Sequence, residues 1–334
     1  MKLVVFVAAI TVLALSCGGA NPLASASPAA SQAKSSAMRS PSAVAGGELR
    51  CRLPISTSAT PGTAGFITFP GGTFSVDPAS DPILPGHSDS SYVNSYTYDF
   101  NRSRWLPTSW RAVAGDGSAY AYWDGTAVHI FDLDSGRDTS LGAPPAGDHP
   151  MQPPSIFALA PEGVYAAVGP PGLWLIGPAG VQRQVTKEGY WDAVASGAGW
   201  GRPTNSYPGA GAVYSILRLD LKTGVSEPWF TRAGVLEVVG VDLHGSPIVM
   251  VTPKTGQDSS DLELWIVTGR NQGRRIYSAP SVVNGLSVLG LVTPVIGDSH
   301  GIWFEAWPKL YLYSQQTGVR EMAPARAALA GGCA

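Results

Sequence analysis

The residues of this chain that could do chemistry are gathered in its longest turn-rich stretches. Asp81, His87, Asp89 and Tyr92 lie in the stretch from Pro78 to Asn94, Asp148 and His149 in that from Gly142 to Pro154, and Arg202, Asn205 and Tyr207 in that from Gly201 to Ala212. Lys254, Asp258 and Asp261 belong to a fourth, Thr252 to Asp261. Carboxylates from separate loops meeting at one mouth could supply the acid and base of glycoside cleavage, which needs two carboxyl groups about 5 to 10 Å apart, or oxygen ligands for calcium. The same residue types also fill loops for a plainer reason, since Asp, Asn, Ser and Pro make turns and stay solvated. The plainer role covers most of them, so the expectation is a binding face and not a catalytic centre. His87 and His149 are single histidines without metal-ligand spacing, and neither a metal nor a cofactor is expected. His129, His244 and His300 read as structural. Nucleophile elbow, zinc-protease, phosphate-loop and Cys-x-x-Cys signatures are all missing from the sequence.

The elements that must position these loops are short strands. In residues 110–142, Trp110 to Ala114 is an apolar run, Gly115-Asp116-Gly117 a tight turn, and Ser118 to Trp123 alternates small or polar with aromatic residues. Asp124-Gly125 turns the chain again, Ala127 to Leu133 supplies β-branched and aromatic residues at period two, and Ser135-Gly136 leads to a polar fourth strand, Arg137 to Leu141. Four strands in about 33 residues is the size of one blade of a β-propeller. Glycines after the third strand, Gly136, Gly180, Gly224, Gly273 and Gly318, recur at separations of 44, 44, 49 and 45 residues. A sixth copy precedes them: GFITF, TFSVD, then SYTYDF turning through Asn101 and Arg102 into RWLP. The run VAGDGSAYAY resembles the Pro-Asp-Gly strand-turn-strand element of TolB-like, WD40-like propeller repeats, with Gly115 where proline is usual. That resemblance implies the fold and brings no functional residues with it.

The expected fold is therefore all-β, a six-bladed propeller over residues 49–334, or seven-bladed if 51–64 and 320–333 together build a composite blade. In such a ring the long stretches named above open on one face, and insertions gathered on one face of a repeat protein mark its working surface. Ten tryptophans mostly recur at matching strand positions, as packing between blades requires. Trp191 and Trp200 flank an inner turn and could instead line the channel. Asp298-Ser299-His300-Gly301-Ile302-Trp303 resembles the Asp-box of sialidases with its spacing off by one, and reads as a structural turn.

A 13-residue apolar run, Leu3 to Leu15, follows one early cation, Lys2. It is too short for a membrane span and suits the core of a signal peptide. Ser16-Cys17-Gly18-Gly19 resembles a bacterial lipobox, with Ala14 where the pattern prefers leucine. The resemblance implies a diacylated, N-terminal Cys17 after removal of residues 1–16, and anchorage on the outer face of the cytoplasmic membrane; the alternative is plain secretion after cleavage near Ala24-Ser25-Ala26. Residues 18–48 are nearly all Gly, Ala, Ser and Pro, a composition that cannot offset the entropy of ordering, and are expected to be a tether. The two remaining cysteines, Cys51 and Cys333, bracket the repeats; a ring makes its two ends neighbours, and an exported chain can oxidise them to a disulfide.

With 22 basic and 24 acidic side chains and a net charge of -2, the chain has no basic stripe, so nucleic acid is not an expected partner. The function expected is a membrane-tethered binding or scaffolding module for a protein or glycan of the cell envelope. The alternative is a glycan-acting hydrolase drawing on Asp81, Asp89, Asp148, Asp258 and Asp261.

Overall fold

The computed structural model describes residues 48–56, 63–80, 84–85, 96–143, 154–167, 172–204, 214–252, 261–280, 282–283, 286–287, 291–325 and 328–334. The expected signal peptide, Cys17 and the expected tether up to residue 47 lie outside them. Among the described residues there is no α-helix, only strands and two three-residue 3-10 turns, and no helix long and apolar enough to cross a membrane.

The strands form antiparallel meanders, as the sequence predicts. Ser155–Ala160, Gly163–Ala167, Leu173–Ile176 and Gln182–Thr186 make one four-stranded sheet, and Tyr190–Ala195, Ala198–Arg202, Ser215–Asp220 and Ser226–Thr231 the next. Two further meanders, Val235–Val241 to Gln272–Pro280 and Leu291–Asp298 to Gly318–Pro324, fuse into one eight-stranded sheet because their first strands pair in parallel, Gly240 opposite Val295 and Val241 opposite Ile296. Only glycine fits at 240: a Cβ there would lie 2.2 Å from the Val295 carbonyl oxygen.

Burial explains the strand sequences. Second strands are sandwiched between neighbouring sheets and are rich in apolar residues; Gly301–Ala306, GIWFEA, is buried at every position but its first, Glu305 included. Outer strands such as Gln182–Thr186, QRQVT, bury a single valine. The hydrophobic clusters lie between sheets. One joins Leu53, Ile55, Ile67 and Phe69 to Ile296, Trp303, Leu310 and Leu312, with the rings of Phe69 and Trp303 stacked at 5.4 Å.

The sheets close on themselves. The innermost segments are, in order around the axis, Ala328–Leu329, Thr97–Asp99, Trp110–Ala112, Ser155–Ala160, Tyr190–Ala195, Val235–Val241 and Leu291–Asp298. From Trp110 onward each packs on the next, the last on Ala328–Leu329. The Thr97 hydroxyl donates to the Thr108 carbonyl (2.9 Å), and the Tyr98 N–H donates to the Ala330 carbonyl (2.9 Å), which completes the circle. This is a β-propeller.

Three details depart from the sequence expectation. The unit expected over 65–106 is divided: Gly65–Thr68 and Thr73–Val76 join Arg52–Ser56 and the C-terminal Ala328–Leu329 in a composite sheet, while Thr97–Asp99 and Arg104–Leu106 form a hairpin sheet of their own. Second, the expected first strand of the template, Trp110 to Ala114, is a 3-10 turn at 110–112 followed by a single bridge, Val113 to Tyr120. The Ser109 carbonyl accepts from Ala112 N–H at 2.9 Å, and this tighter coil swings Arg111 inward. Third, Gly273 is not the turn residue of its unit. Gly136, Gly180, Gly224 and Gly318 have φ of 68 to 75°, but in the remaining unit Asn271 takes that conformation at φ 52°, as asparagine tolerates. Counting Asn271 in place of Gly273 evens the later separations to 47 and 47 residues.

The two ends are fastened as expected. Cys51 and Cys333 form a disulfide across 282 residues, Cα atoms 5.6 Å apart, and Arg52 and Ala334 exchange backbone hydrogen bonds of 2.9 and 3.2 Å. The Asp-box-like turn holds the clasp. Asp298 accepts from the N–H groups of His300 and Gly301 through Oδ1, and from the Trp303 indole (2.8 Å) and the Cys333 N–H (2.6 Å) through Oδ2.

Candidate functional site

Inner segments all run the same way along the axis, so their first residues gather at one mouth and their last residues at the other. At the first mouth, where the connections between sheets arrive, lies a cavity of about 360 Å³ lined by Ser109, Arg111, Trp191, Asp192 and Glu237 among others. At the other mouth a cavity of about 460 Å³ has a more apolar wall that includes Tyr98, Val113, Ala195 and Val241. Trp110, Arg111 and Phe157 line both. These side chains stand between the two pockets.

Arg111 acts as a strut across the axis. Its Nη1 donates to the Asp192 carbonyl (2.6 Å) and its Nη2 to the Val239 carbonyl (3.3 Å), so one side chain ties together three inner segments. Its guanidinium also lies 5.5 Å from the Trp110 ring centre. Burial lowers its pKa from the ordinary value, opposed by the negative charges of Asp192 and Glu237.

Asp192 faces the same cavity with only 14% of its side chain exposed. Arg202 Nη2 donates to Oδ1 (3.2 Å) and the Val238 N–H to Oδ2 (3.5 Å). Burial pushes the Asp192 carboxyl up to about 6; the positive charge of Arg202 works against the rise and that of Glu237, being negative, adds to it. The Glu237 carboxylate lines the cavity and has no hydrogen-bond or ion-pair partner among the described residues. Nε of Arg111, Nε of Arg202 and the indole nitrogen of Trp110 are buried without an acceptor. Buried donors left in this state are costly.

Of the residues expected on the binding face, two are described. Arg202 is not a loop residue: it ends the strand Ala198–Arg202 and reaches the cavity through Asp192. Asp261 opens the strand Asp261–Gly269, third outward from the axis, and accepts from the Ser278 hydroxyl (2.7 Å), so it is part of a sheet and stands apart from Arg202. Asp81, His87, Asp89, Tyr92, Asp148, His149, Asn205, Tyr207 and Asp258 lie outside the described residues. Trp191 lines the cavity and donates to the Glu188 carbonyl (3.0 Å), whereas Trp200 packs into a core cluster between sheets, its ring 6.0 Å from that of Trp229. His129 is held structurally, with Nε2 at 3.0 Å from Asp124 and Nδ1 at 3.0 Å from Asp138. No group of three or more His, Cys, Asp or Glu side chains among the described residues is arranged to hold a metal ion.

Arg111, Asp192 and Glu237 lie outside the stretches expected to carry the site; the signal that could have found them is that Trp110-Arg111-Ala112-Val113, Trp191-Asp192-Ala193-Val194 and Leu236-Glu237-Val238-Val239 each place one charge after a large apolar residue in an inner segment. A charge recurring in that slot of otherwise apolar inner strands has nowhere to point but the axis.

Comparison with known proteins adds shape alone. No protein-family model matches the chain, and no curated protein does. Among solved structures, TolB from Acinetobacter baumannii aligns at TM-score 0.43 and 14% identity over 85% of this chain and 67% of that one. The chain is similar to TolB-like propellers. A nidogen/laminin complex aligns at TM-score 0.47 and 9% identity, over 84% of this chain and 97% of that one. An oligogalacturonate lyase from Vibrio parahaemolyticus aligns at TM-score 0.35 and 8% identity, over 71% and 83%. At this level of likeness the functions of those proteins do not transfer, and the site rests on its own geometry.

Proposed function

We propose that this protein is a seven-bladed, lipid-anchored binding module of the bacterial cell envelope, and that its ligand seats in the polar cavity at the mouth of the axis where the sheet-to-sheet connections arrive. The observation that carries the reading is the Glu237 carboxylate, which has no hydrogen-bond or ion-pair partner among the described residues, on the wall of a cavity whose other charges, Arg111 and Asp192, are engaged by the fold, Asp192 through its pair with Arg202. A cavity near 360 Å³ falls in the range of about 300 to 1,000 Å³ usual for small-ligand sites. Seven inner segments support the count of seven blades, with the 97–106 hairpin counted as a blade of its own. Anchorage follows from Cys17 and its lipobox-like surroundings, and a Cys17→Ser chain is expected to leave the membrane fraction.

The binding reading is tested with photo-leucine, a diazirine residue compact enough to leave the mouth open, at Ser155, an exposed position on the cavity rim, against the same residue at Leu243, which is 63% exposed at the opposite mouth. Envelope material attached from position 155 and not from 243 is the expected result; attachment from 243 alone, or from neither, overturns it.

One observation favours a second reading, a glycan hydrolase. Asp192, with its carboxyl near 6, and Glu237 share one cavity, as an acid and a base would. Against it, Asp192 is held by Arg202 and the Val238 N–H and does not stand free to donate a proton. Release of reducing sugar from envelope polysaccharide by the wild type, lost in both Asp192→Asn and Glu237→Gln, would establish the hydrolase.

A further inference from the structure

From the balance of charge around this cavity we infer that its ligand is a neutral, hydroxyl-rich molecule of the class of a sugar ring. The inference rests on the binding reading above and names what fills that site.

Arg111, Asp192 and Glu237 line the cavity, and Arg202, paired with Asp192 at 3.2 Å, brings the fourth charge, so that the four cancel. A ligand with net charge would leave one charge uncompensated in a half-buried site, which is unfavourable at low effective dielectric. A purely apolar ligand would cover the Glu237 carboxylate without giving it a donor. What the wall offers is alternating hydrogen-bond capacity: an acceptor-only carboxylate at Glu237, hydroxyls at Ser109 and Ser155 that both donate and accept, and guanidinium donors at Arg111. Adjacent hydroxyls on a ring supply donors and acceptors in the same alternation. The aromatic walls, Trp191 and Phe157, complete the match, because a sugar ring has an apolar C–H face that packs on an aromatic surface while its hydroxyl edge stays hydrogen-bonded. The unsatisfied N–H groups of Arg111 and Trp110 next to the cavity are further donors that a small settling of the wall around a hydroxyl-rich guest would satisfy.

The test uses the full chain and follows tryptophan fluorescence, which Trp110 and Trp191 make sensitive to occupation of the cavity. The probes are the neutral sugars N-acetylglucosamine, mannose and arabinose, the cationic glucosamine and the anionic glucuronate. At least one neutral sugar is expected to give a saturable change, weakened tenfold or more by Glu237→Ala and abolished by Ser155→Trp, an exposed rim substitution that fills the mouth without touching the core. A saturable response to glucosamine or glucuronate with none to the neutral sugars overturns the inference, as does no response to any probe. If crosslinking from position 155 still succeeds in either case, the site stands and the ligand class is wrong; if it fails as well, both fall together.

Discussion

Asp192 makes the stability of this protein depend on pH in a direction opposite to that of most carboxylates. Its carboxyl is near 6 in the folded protein against an ordinary 3.8, so it is easier to protonate folded than unfolded. The folded state then binds a proton that the unfolded state has lost, and stability falls as pH rises across that window. Asp192 contributes fully below about pH 4, and the contribution is gone once the pH has passed through about 6. A shift of this size is worth about 3 kcal/mol, at roughly 1.4 kcal/mol per unit. Asp192→Asn cannot titrate and removes this dependence alone, leaving that of every other group in place. Urea unfolding of both proteins from pH 4 to 7.5 gives the difference. The Asn variant is expected to gain on the wild type by up to about 3 kcal/mol between pH 4 and 7. A difference that stays flat, or runs the other way, would refute the claim that Asp192 is desolvated in the cavity wall.

Three further outcomes follow from the architecture. Arg111→Met removes the strut and leaves Asp192 and Glu237 without their buried counter-charge; a loss of about 3 to 5 kcal/mol is expected in urea unfolding, and a loss under 1 kcal/mol would show that the strut carries little. Cys51→Ser with Cys333→Ser opens the ring, and chain entropy puts the cost near 5 kcal/mol at most; the melting temperature of the double variant should fall to that of the reduced wild type, and an unchanged melting temperature would contradict the clasp. Gly240→Ala drives a Cβ to 2.2 Å from the Val295 carbonyl oxygen, so the two inner strands must part, at about 1 to 3 kcal/mol by analogy with overpacked cores, again read from the urea midpoint.

Much of the fold was legible because its signals are local. The template unit 110–142 showed its turns at Gly117, Gly125 and Gly136, and all three take positive φ. The glycine period failed only where asparagine does the same work, at Asn271, since a sequence marker tied to one residue type misses a substitute with the same conformational tolerance. The division of 65–106 was not legible, because pairing of Arg52–Ser56 with Ala328–Leu329 is a contact across nearly the whole chain, and no periodicity encodes which end supplies a strand. The site was hidden for a related reason. Loop composition marks Arg202, which meets the cavity wall through Asp192, and equally Asp261, which does not. Asp192 and Glu237 sit within apolar strands and Arg111 in a short 3-10 turn, where a single charge looks like an exposed face, and only closure of the ring turns that face inward.

The central claim is that the cavity walled by Arg111, Asp192 and Glu237 is where this protein meets its ligand. Its most direct test is retention of solubilised envelope glycan by the immobilised full chain, compared with the Ser155→Trp chain after both show the same melting temperature. Retention by the wild type and its loss in the variant is the predicted result; equal retention by both would contradict the account.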